Sequence, residues 1–102
     1  MSKYKAVRTF VDNIWFDSGR EAARYIELRM LVRVGIIRDL ELQKRYPIVI
    51  NGVKVCAYIA DFVYRDQSGR TVVEDSKGIR TRDYIIKSKL MLAVHGIRIV
   101  ET

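Results

Sequence analysis

Cysteine, histidine and proline are scarce in this sequence, which has one of each among its 102 residues. The single cysteine, Cys56, has no partner for a disulfide within the chain, which suits a reducing compartment. One cysteine and one histidine are also too few for a zinc cluster. No stretch approaches the roughly 20 apolar residues that cross a bilayer, and the start lacks the apolar run of a signal peptide. We therefore expect a cytoplasmic protein with no membrane partner.

Acidic residues are outnumbered by basic ones, 12 against 19, and the formal net charge is +7. This excess favours a polyanionic partner, above all nucleic acid, although many small proteins are basic without binding one. With 49% hydrophobic and 30% charged residues, the composition is that of a folded globular protein and argues against disorder. A chain of 102 residues has room for one core, so we predict a single domain over residues 1–102.

Short β-prone runs and two helical runs follow one another along the chain. The strands are predicted at residues 7–10, 14–16, 36–46, 48–50, 53–65, 69–77 and 97–100. Pro47 is expected to interrupt the third run, and Asn51-Gly52 to form a hairpin turn. The helices are predicted from residue 22 to about residue 34, before Gly35, and from a Thr81 cap to about residue 94. This order predicts an α/β fold in which helices pack on a sheet.

Charged residues occupy places that strand alternation gives to apolar side chains on two neighbouring predicted strands. Asp61 lies in the apolar row of one strand. Asp75 and Lys77 end the apolar row of the next strand, and Glu74 lies on its other face. A hairpin centred near Ser68 would bring Asp61 opposite Asp75, where like charges destabilise unless a cation separates them. An exposed strand end or a salt-bridged surface patch would give the same pattern.

The opposed carboxylates are suited to a hard divalent ion such as Mg²⁺, which prefers carboxylate oxygens and keeps several of its waters. Such an ion can bridge and polarise a phosphodiester and activate a water. Lys77, on the same face, would stabilise charge on the attacked phosphate or orient the attacking water. This pattern indicates a site for phosphodiester chemistry.

Glu21 offers a third carboxylate near the start of the first predicted helix. Helical spacing places Glu21 on the face of Tyr25 and Leu28, so its side chain is expected to face the protein. The same residue is explained equally well as the returning half of a capping box with Ser18. The two roles can coexist.

Three segments resemble, in order and spacing, the core motifs of the PD-(D/E)XK nucleases. They are Phe16-Asp17-Ser18 through Glu21-Ala22, Tyr58-Ile59-Ala60-Asp61-Phe62 and Val73-Glu74-Asp75-Ser76-Lys77-Gly78. The resemblance covers nearly the whole chain and extends to small phage-encoded nuclease-like proteins. Those proteins are similar to archaeal Holliday junction resolvases, phage endonuclease I and transposon end-cleaving nucleases. A phage-encoded protein of this kind would work in the cytoplasm of the host cell.

The resemblance implies a PD-(D/E)XK restriction endonuclease-like core, in which a mixed central β-sheet is flanked by helices. It also implies Mg²⁺ or Mn²⁺ as cofactor and hydrolysis of DNA phosphodiesters by an activated water. By motif position, Asp61 is the central metal ligand and Asp75 the second strand ligand. Glu21 is the helix acid that completes the metal ligands, and Lys77 is the motif lysine.

Two positions depart from the pattern of these nucleases. Ala60 stands where the motif has proline, and Asp75 stands where glutamate is commoner. Glu74 lies beside Asp75, and a register slip of one residue would turn Glu74 toward the site instead.

Further polar and basic residues are candidates for DNA binding, with a solvated surface as the alternative for each. They are Gln43 on the strand after the first helix, and Arg80, Arg82, Lys87 and Lys89 on or before the second helix. Lys3, Lys5 and Arg8 form a basic N-terminal arm with the same two explanations.

Other conspicuous residues are interpreted as structural. Tyr58, Phe62 and Tyr64 share one strand face and are predicted to be core under a helix rather than a base-stacking surface. Cys56, on that face, is expected to be an inert buried thiol. His95 is expected to serve the end of the second helix. Trp15 is interpreted as a packing residue.

Charge, opposed carboxylates and the resemblance together predict a Mg²⁺-dependent endodeoxyribonuclease that cleaves branched or structured DNA. A Holliday junction resolvase of DNA recombination is the specific expectation. A four-way junction presents two symmetry-related strands, so a homodimer is expected as the working form. The alternative is a non-catalytic nucleic-acid-binding module that keeps the fold and uses its basic faces alone. Asp61, Asp75 and Lys77 argue against that alternative.

Overall fold

The structure, a computed structural model, describes residues 7–77 and 79–102. Its elements are β1 (Thr9–Val11), β2 (Ile14–Phe16), α1 (Gly19–Arg33), β3 (Arg38–Ile50), β4 (Val53–Arg65), β5 (Thr71–Asp75), α2 (Arg82–His95) and β6 (Val100–Glu101). β1 and β2 form a two-stranded antiparallel sheet, and β3 to β6 form a four-stranded sheet in that order. Within the larger sheet only β5 and β6 pair in parallel. The predicted α/β class is confirmed, with a mixed sheet and two helices.

Two hairpin turns lie where the sequence places them. Asn51 and Gly52 have φ angles of 50° and 79°, the left-handed conformation that a tight hairpin between twisted strands requires. Asp12 and Asn13 adopt the same conformation, with φ of 52° and 61°, between β1 and β2. The predicted β4 has the observed bounds.

Pro47 does not interrupt a strand, and the predicted break there is wrong. β3 runs unbroken for 13 residues, and Pro47 is paired opposite Ala57. Because β3 is an edge strand, a residue without an N–H donor can be accommodated there. β5 is shorter than predicted, since it ends at Asp75 rather than at residue 77. The closing strand was predicted at residues 97–100, whereas β6 occupies Val100–Glu101.

Side-chain caps define where both helices begin. Ser18 Oγ accepts a hydrogen bond of 3.2 Å from the Glu21 N–H, so α1 begins at Gly19, three residues before its predicted start. Thr81 Oγ1 accepts an equivalent 3.2 Å bond from the Tyr84 N–H, as its predicted cap role requires. α2 ends at Gly96, whose φ of 67° is the left-handed conformation of a helix C-cap. Among the described residues no helix is long and apolar enough to cross a membrane.

Each helix packs on its own cluster of buried side chains. The α1 cluster consists of Phe16, Ala22, Tyr25, Leu28, Ile37, Phe62 and Tyr64. The α2 cluster consists of Ile48, Tyr58, Ala60, Val63, Val73, Tyr84 and Met91. Tyr58, Phe62 and Tyr64 are buried as predicted, but their predicted common face under one helix is wrong, because Tyr58 belongs to the α2 cluster and the other two to the α1 cluster. Since Val73 belongs to the α2 cluster while its neighbour Glu74 contacts Arg24 of α1, the two helices lie on opposite faces of β5.

β4 changes the helix on which it packs at Asp61. Tyr58 and Ala60 belong to the α2 cluster, whereas Phe62, at the next alternate position, belongs to the α1 cluster. Gln43 and Asp61 lie between paired residues of β3 and β4 but are not paired with each other. Gln43 has a φ of 53°, so the ladder is irregular at this point. The strand side chain expected to carry chemistry therefore lies where regular pairing fails.

The row of apolar residues on β4 that includes Val55 and Ile59 was predicted to lie on one face with Asp61. These two side chains are about half exposed. The predicted row is therefore buried only in part, at Val63 beyond Asp61.

Candidate active site

Asp61 and Asp75 come together at the end of β5, as the hairpin register predicts. The last pair between β4 and β5 joins Phe62 to Glu74, so the next step along both strands sets Asp61 opposite Asp75. Past the end of β5, the Ser76 N–H donates a 2.9 Å hydrogen bond to Asp61 Oδ2. This bond holds the Asp61 carboxylate beside Asp75 instead of leaving it to solvent.

The Asp75 carboxylate is nearly inaccessible and only partly compensated. Its side chain is 1% exposed, and Oδ2 accepts a hydrogen bond from the Tyr58 hydroxyl. Lys77 Nζ lies 3.2 Å from Oδ1, which is close enough for an ion pair. The direction of that contact does not make a hydrogen bond, so Oδ1 is a buried acceptor to which no described residue donates. A buried anion in this condition is costly unless another cation or donor reaches it.

The Asp61 carboxyl resists ionisation in this setting. Burial raises its pKa from the ordinary 3.8 to about 8, and the adjacent Asp75 carboxylate acts in the same direction. The Ser76 N–H opposes the shift, because it stabilises the ionised form. The raised pKa keeps the Asp61 carboxyl mainly protonated at neutral pH in the metal-free protein.

Glu21 lies near this pair on the buried face of α1, together with Tyr25 and Leu28 as predicted. Burial raises the pKa of the Glu21 carboxyl, and the charges of Asp17 and Asp75 raise it further. The backbone of Asp17 and the charge of Lys77 lower it. Glu21 is therefore within electrostatic reach of both Asp75 and Lys77.

Gln43 fixes the orientation of the Glu21 carboxylate. Its side-chain amide donates a 3.0 Å hydrogen bond to Glu21 Oε2. In the described part of the chain, Ser18 caps the helix through its hydroxyl, but the Glu21 carboxylate accepts from Gln43 and does not return to the Ser18 N–H. Only half of the expected capping box is present. Gln43 is exposed, and its contact with Glu21 places it at the site, while its role in DNA binding stays a prediction.

The acids of the site fit a divalent metal as a pair but not as a group of three. Among residues 7–77 and 79–102 no group of three histidine, cysteine, aspartate or glutamate side chains is arranged to hold a metal ion. Glu21 therefore does not join Asp61 and Asp75 in a three-ligand cluster. The pair itself fits a hard cation, because Mg²⁺ is commonly bound through one or two carboxylates and keeps several waters. The donorless Oδ1 of Asp75 is the atom that most needs such a cation.

Glu74 lies on the other face of β5 and has full compensation. Its carboxylate accepts from Arg24 Nε at 2.7 Å and from Arg24 Nη2 at 2.8 Å, and also from the Tyr64 hydroxyl. This bidentate geometry is the strong form of a carboxylate–guanidinium contact. Of the two adjacent acids, Asp75 and not Glu74 therefore faces Asp61. Sequence analysis missed this network, for which the only signal was an arginine one helical turn after Glu21.

The Arg24–Glu74 contact also joins the two elements that carry the acids. Arg24 is one helical turn after Glu21 on α1, and Glu74 immediately precedes Asp75 on β5. A rigid two-point contact between these residues fixes the separation of Glu21 and Asp75. Arg24 and Glu74 are accordingly positioning residues and touch no reacting group.

The basic residues around α2 form ion pairs, line two open grooves, or do both. Arg80 lies 3.3 Å from Glu101, and Lys87 lies 3.8 Å from Asp83. One groove of about 250 Å³ contains Lys87 together with Asp75, Lys77 and Tyr84. A second groove of about 250 Å³ contains Arg80, Lys89 and Arg98. Arg82 is exposed at the start of α2.

Several other predicted roles were tested by the structure. Cys56 is a free thiol but is only half-buried. His95 lies at the end of α2 as expected, and its Nε2 is 2.8 Å from the Pro47 carbonyl oxygen. Trp15 is 57% exposed, so its interpretation as a packing residue is wrong. Arg8 of the basic arm stacks over Trp15, while Lys3, Lys5 and the motif residue Gly78 lie outside the described residues.

Comparison with protein families found one match, to a model described as "Protein of unknown function (DUF1064)", over residues 1–97. The chain belongs to this family. The match includes Glu21, Asp61, Asp75 and Lys77, so every candidate site residue falls within the shared region. No match was found among curated proteins or among solved structures.

Proposed function

We propose that the protein is a divalent-metal-dependent endodeoxyribonuclease with a PD-(D/E)XK-type core. One observation carries the proposal: the buried Asp75 faces a second carboxylate, Asp61, with Lys77 beside it and one oxygen left without a donor. Stability alone does not favour this arrangement, since burial beside the Asp75 carboxylate disfavours the ionised form of Asp61. A buried acid that lines an open groove, beside a second acid with a raised pKa, is typical of catalytic sites.

Each side chain in the site has a distinct chemical task. Asp61 and Asp75 would hold Mg²⁺ or Mn²⁺, and Glu21 would support the ion from α1. When bound, such an ion polarises a phosphodiester and lowers the pKa of a water. Lys77 stabilises negative charge that develops on the attacked phosphate, because its ammonium group lies on the same side as Asp75. Gln43 keeps the Glu21 carboxylate turned in a single direction.

Branched DNA, and a Holliday junction in particular, is the proposed substrate. The groove beside Asp75 contains Lys77 and Lys87, which suits a phosphate backbone, and the chain carries a net charge of +7. Cutting a four-way junction requires two sites related by two-fold symmetry. A homodimer on the junction would supply both sites.

A cleavage assay with matched variants tests the function. Purified protein is incubated with four-way-junction, supercoiled and linear DNA in Mg²⁺, in Mn²⁺ and in EDTA. We expect metal-dependent cleavage with preference for the junction, lost in Asp75→Asn. Asp39→Asn is the control, because Asp39 is exposed and pairs only loosely with Arg65, at 3.6 Å.

DNA binding without cleavage in either metal would contradict the nuclease proposal. That outcome would favour the non-catalytic binding module. One observation favours that module: among the described residues no third acid joins Asp61 and Asp75 in a metal-binding group.

A further inference from the structure

The β1–β2 hairpin presents two large aromatic side chains to solvent. Phe10 and Trp15 are cross-strand partners with ring centroids 4.9 Å apart, and they are 51% and 57% exposed. The alternate positions turn inward, where Phe16 is buried in the α1 cluster. The hairpin thus places its apolar residues on both faces, and the outer aromatic pair has no packing role in the described chain. Exposed aromatic pairs of this kind mark contact surfaces.

The hairpin is anchored to the helix that carries Glu21. Phe16 packs against Tyr25 with ring centroids 5.0 Å apart. The Tyr25 hydroxyl donates a 3.1 Å hydrogen bond to Asp12 in the hairpin turn. Because both contacts join the hairpin to α1, the aromatic pair has a fixed position relative to the candidate active site.

A small cavity connects Trp15 with the acid of α1. Its volume is about 150 Å³, which suits one planar heterocycle. Its lining consists of Ile14, Trp15, Phe16, Asp17, Glu21, Leu42 and Gln43. The apolar members give a flat ring contact surfaces, and the Asp17 carboxylate and Gln43 amide can hydrogen-bond polar ring edges. The cavity therefore matches an uncharged base better than a phosphate, which the acids would repel.

A cation lies over the ring of Trp15. The Arg8 guanidinium lies 5.0 Å from the centre of the Trp15 ring. An arginine stacked on an aromatic ring keeps its donors available for a phosphate. A nucleotide would meet an aromatic surface for its base and a guanidinium for its phosphate.

We propose that Phe10 and Trp15 form a stacking platform for an unpaired base of single-stranded DNA, with Arg8 on the adjacent phosphate. Bases within a duplex are already stacked on each other and offer no free face, so the platform selects single-stranded segments. Such segments occur where DNA branches or opens. The inference adds a binding surface to the proposed nuclease function. It rests on that function only for the identification of DNA as the nucleic acid that binds.

Trp15 gives this proposal a direct optical test, because it is the only tryptophan in the chain. Its fluorescence is followed while a single-stranded oligonucleotide, or a duplex of the same sequence, is titrated into the protein in Ca²⁺. We expect quenching by the single strand and little change with the duplex, since base stacking quenches an indole. We also expect Phe10→Ala to weaken single-strand binding about tenfold, the effect of losing one stacking contact.

Met30→Ala is the matched control, because Met30 is an exposed apolar residue on α1 with 61% exposure. It should bind the single strand as the unmodified protein does. Trp15→Phe retains a ring and should bind better than Trp15→Ala, with binding measured by fluorescence anisotropy of a labelled oligonucleotide. Circular dichroism confirms folding, and since Phe10 and Trp15 are exposed we expect no loss of structure.

Three results would overturn the proposal. The first is equal quenching by duplex and single strand, and the second is no quenching by either. The third is a change of Trp15 fluorescence when the protein concentration alone is raised, accompanied by a larger mass in sedimentation. The last result would show that a second copy of the chain covers the platform. Quenching by single strands in a protein that cleaves no DNA would support the platform while contradicting the nuclease function. The platform alone would be contradicted if single strands do not quench the unmodified protein and Trp15→Ala cleaves junctions as well as the unmodified protein does.

Discussion

Replacing Asp61 by asparagine should stabilise the metal-free protein at high pH. The asparagine oxygen can still accept the Ser76 N–H, which donates to Asp61 over 2.9 Å. The new amide group can donate to the Asp75 carboxylate, whose Oδ1 has no donor. Asp61→Asn therefore replaces a repulsive pair of carboxylates with a charge-assisted hydrogen bond and retains the existing contact.

The expected gain follows from the raised pKa of Asp61 and depends on pH. Because the pKa is about 8 in the folded protein against an ordinary 3.8, the contribution of Asp61 to stability is complete below about pH 4 and is lost as the pH rises through 8. At pH 5 the unmodified protein has lost only a small part of this contribution, so the variant should gain less than at pH 9. At pH 9 the gain should be about 1.5–3 kcal/mol, the value of a hydrogen bond to a charged group.

Urea unfolding followed by circular dichroism at pH 5 and pH 9 in EDTA measures this difference. Asp83→Asn is the control, since the Asp83 side chain is 85% exposed and pairs only with Lys87 at 3.8 Å. A variant that is no more stable than the unmodified protein at pH 9, or equally stabilised at both pH values, would refute the reasoning. Adding Ca²⁺ at pH 9 should raise the free energy of unfolding of the unmodified protein more than that of Asp61→Asn. DNA cleavage by the variant should be lost.

Three further substitutions test other parts of the site. Glu21→Gln should reduce cleavage at least tenfold with little change in Tm, because the Gln43 contact can persist while the charge is lost; unchanged cleavage would leave Glu21 with no role in the metal site. Glu74→Gln should lower the free energy of unfolding by about 2–3 kcal/mol in urea titrations, since it weakens the buried pair with Arg24; unchanged stability would contradict the positioning role. Lys77→Met should reduce kcat while metal binding, followed by Ca²⁺-induced stabilisation, is retained; equal losses of both would make Lys77 structural.

The residues that could be predicted from the sequence are those fixed by local rules. The turn around Ser68 sets the register of β4 and β5, and this register alone brings Asp61 opposite Asp75. The Asn51-Gly52 turn and the Thr81 cap are equally local, and each lies where it was predicted. Strand alternation also separates Asp75 from Glu74 correctly. These features need no knowledge of what packs on the strands.

The features that the sequence did not predict depend on long-range packing. Pro47 is tolerated because β3 is at the edge of the sheet, and strand order is not visible in a local pattern. Gln43 reaches Glu21 from a left-handed backbone conformation that glutamine rarely adopts. The exposure of Trp15 depends on the hairpin lying on α1 with Phe16 inward. In each case the deciding contact is with an element distant in sequence.

Glu74 and Asp75 show why burial alone does not identify a functional acid. Both side chains are almost wholly inaccessible and both belong to the same short strand. Glu74 meets a guanidinium through both oxygens and a hydroxyl, so its burial is compensated and its role is to join α1 to β5. Asp75 meets one hydroxyl, one ammonium group without hydrogen-bond geometry and a second carboxylate. Hydrogen bonds and an ion pair fully offset the burial of the Glu74 carboxylate, whereas the contacts of Asp75 offset its burial only in part. We therefore expect a cation to bind at Asp75.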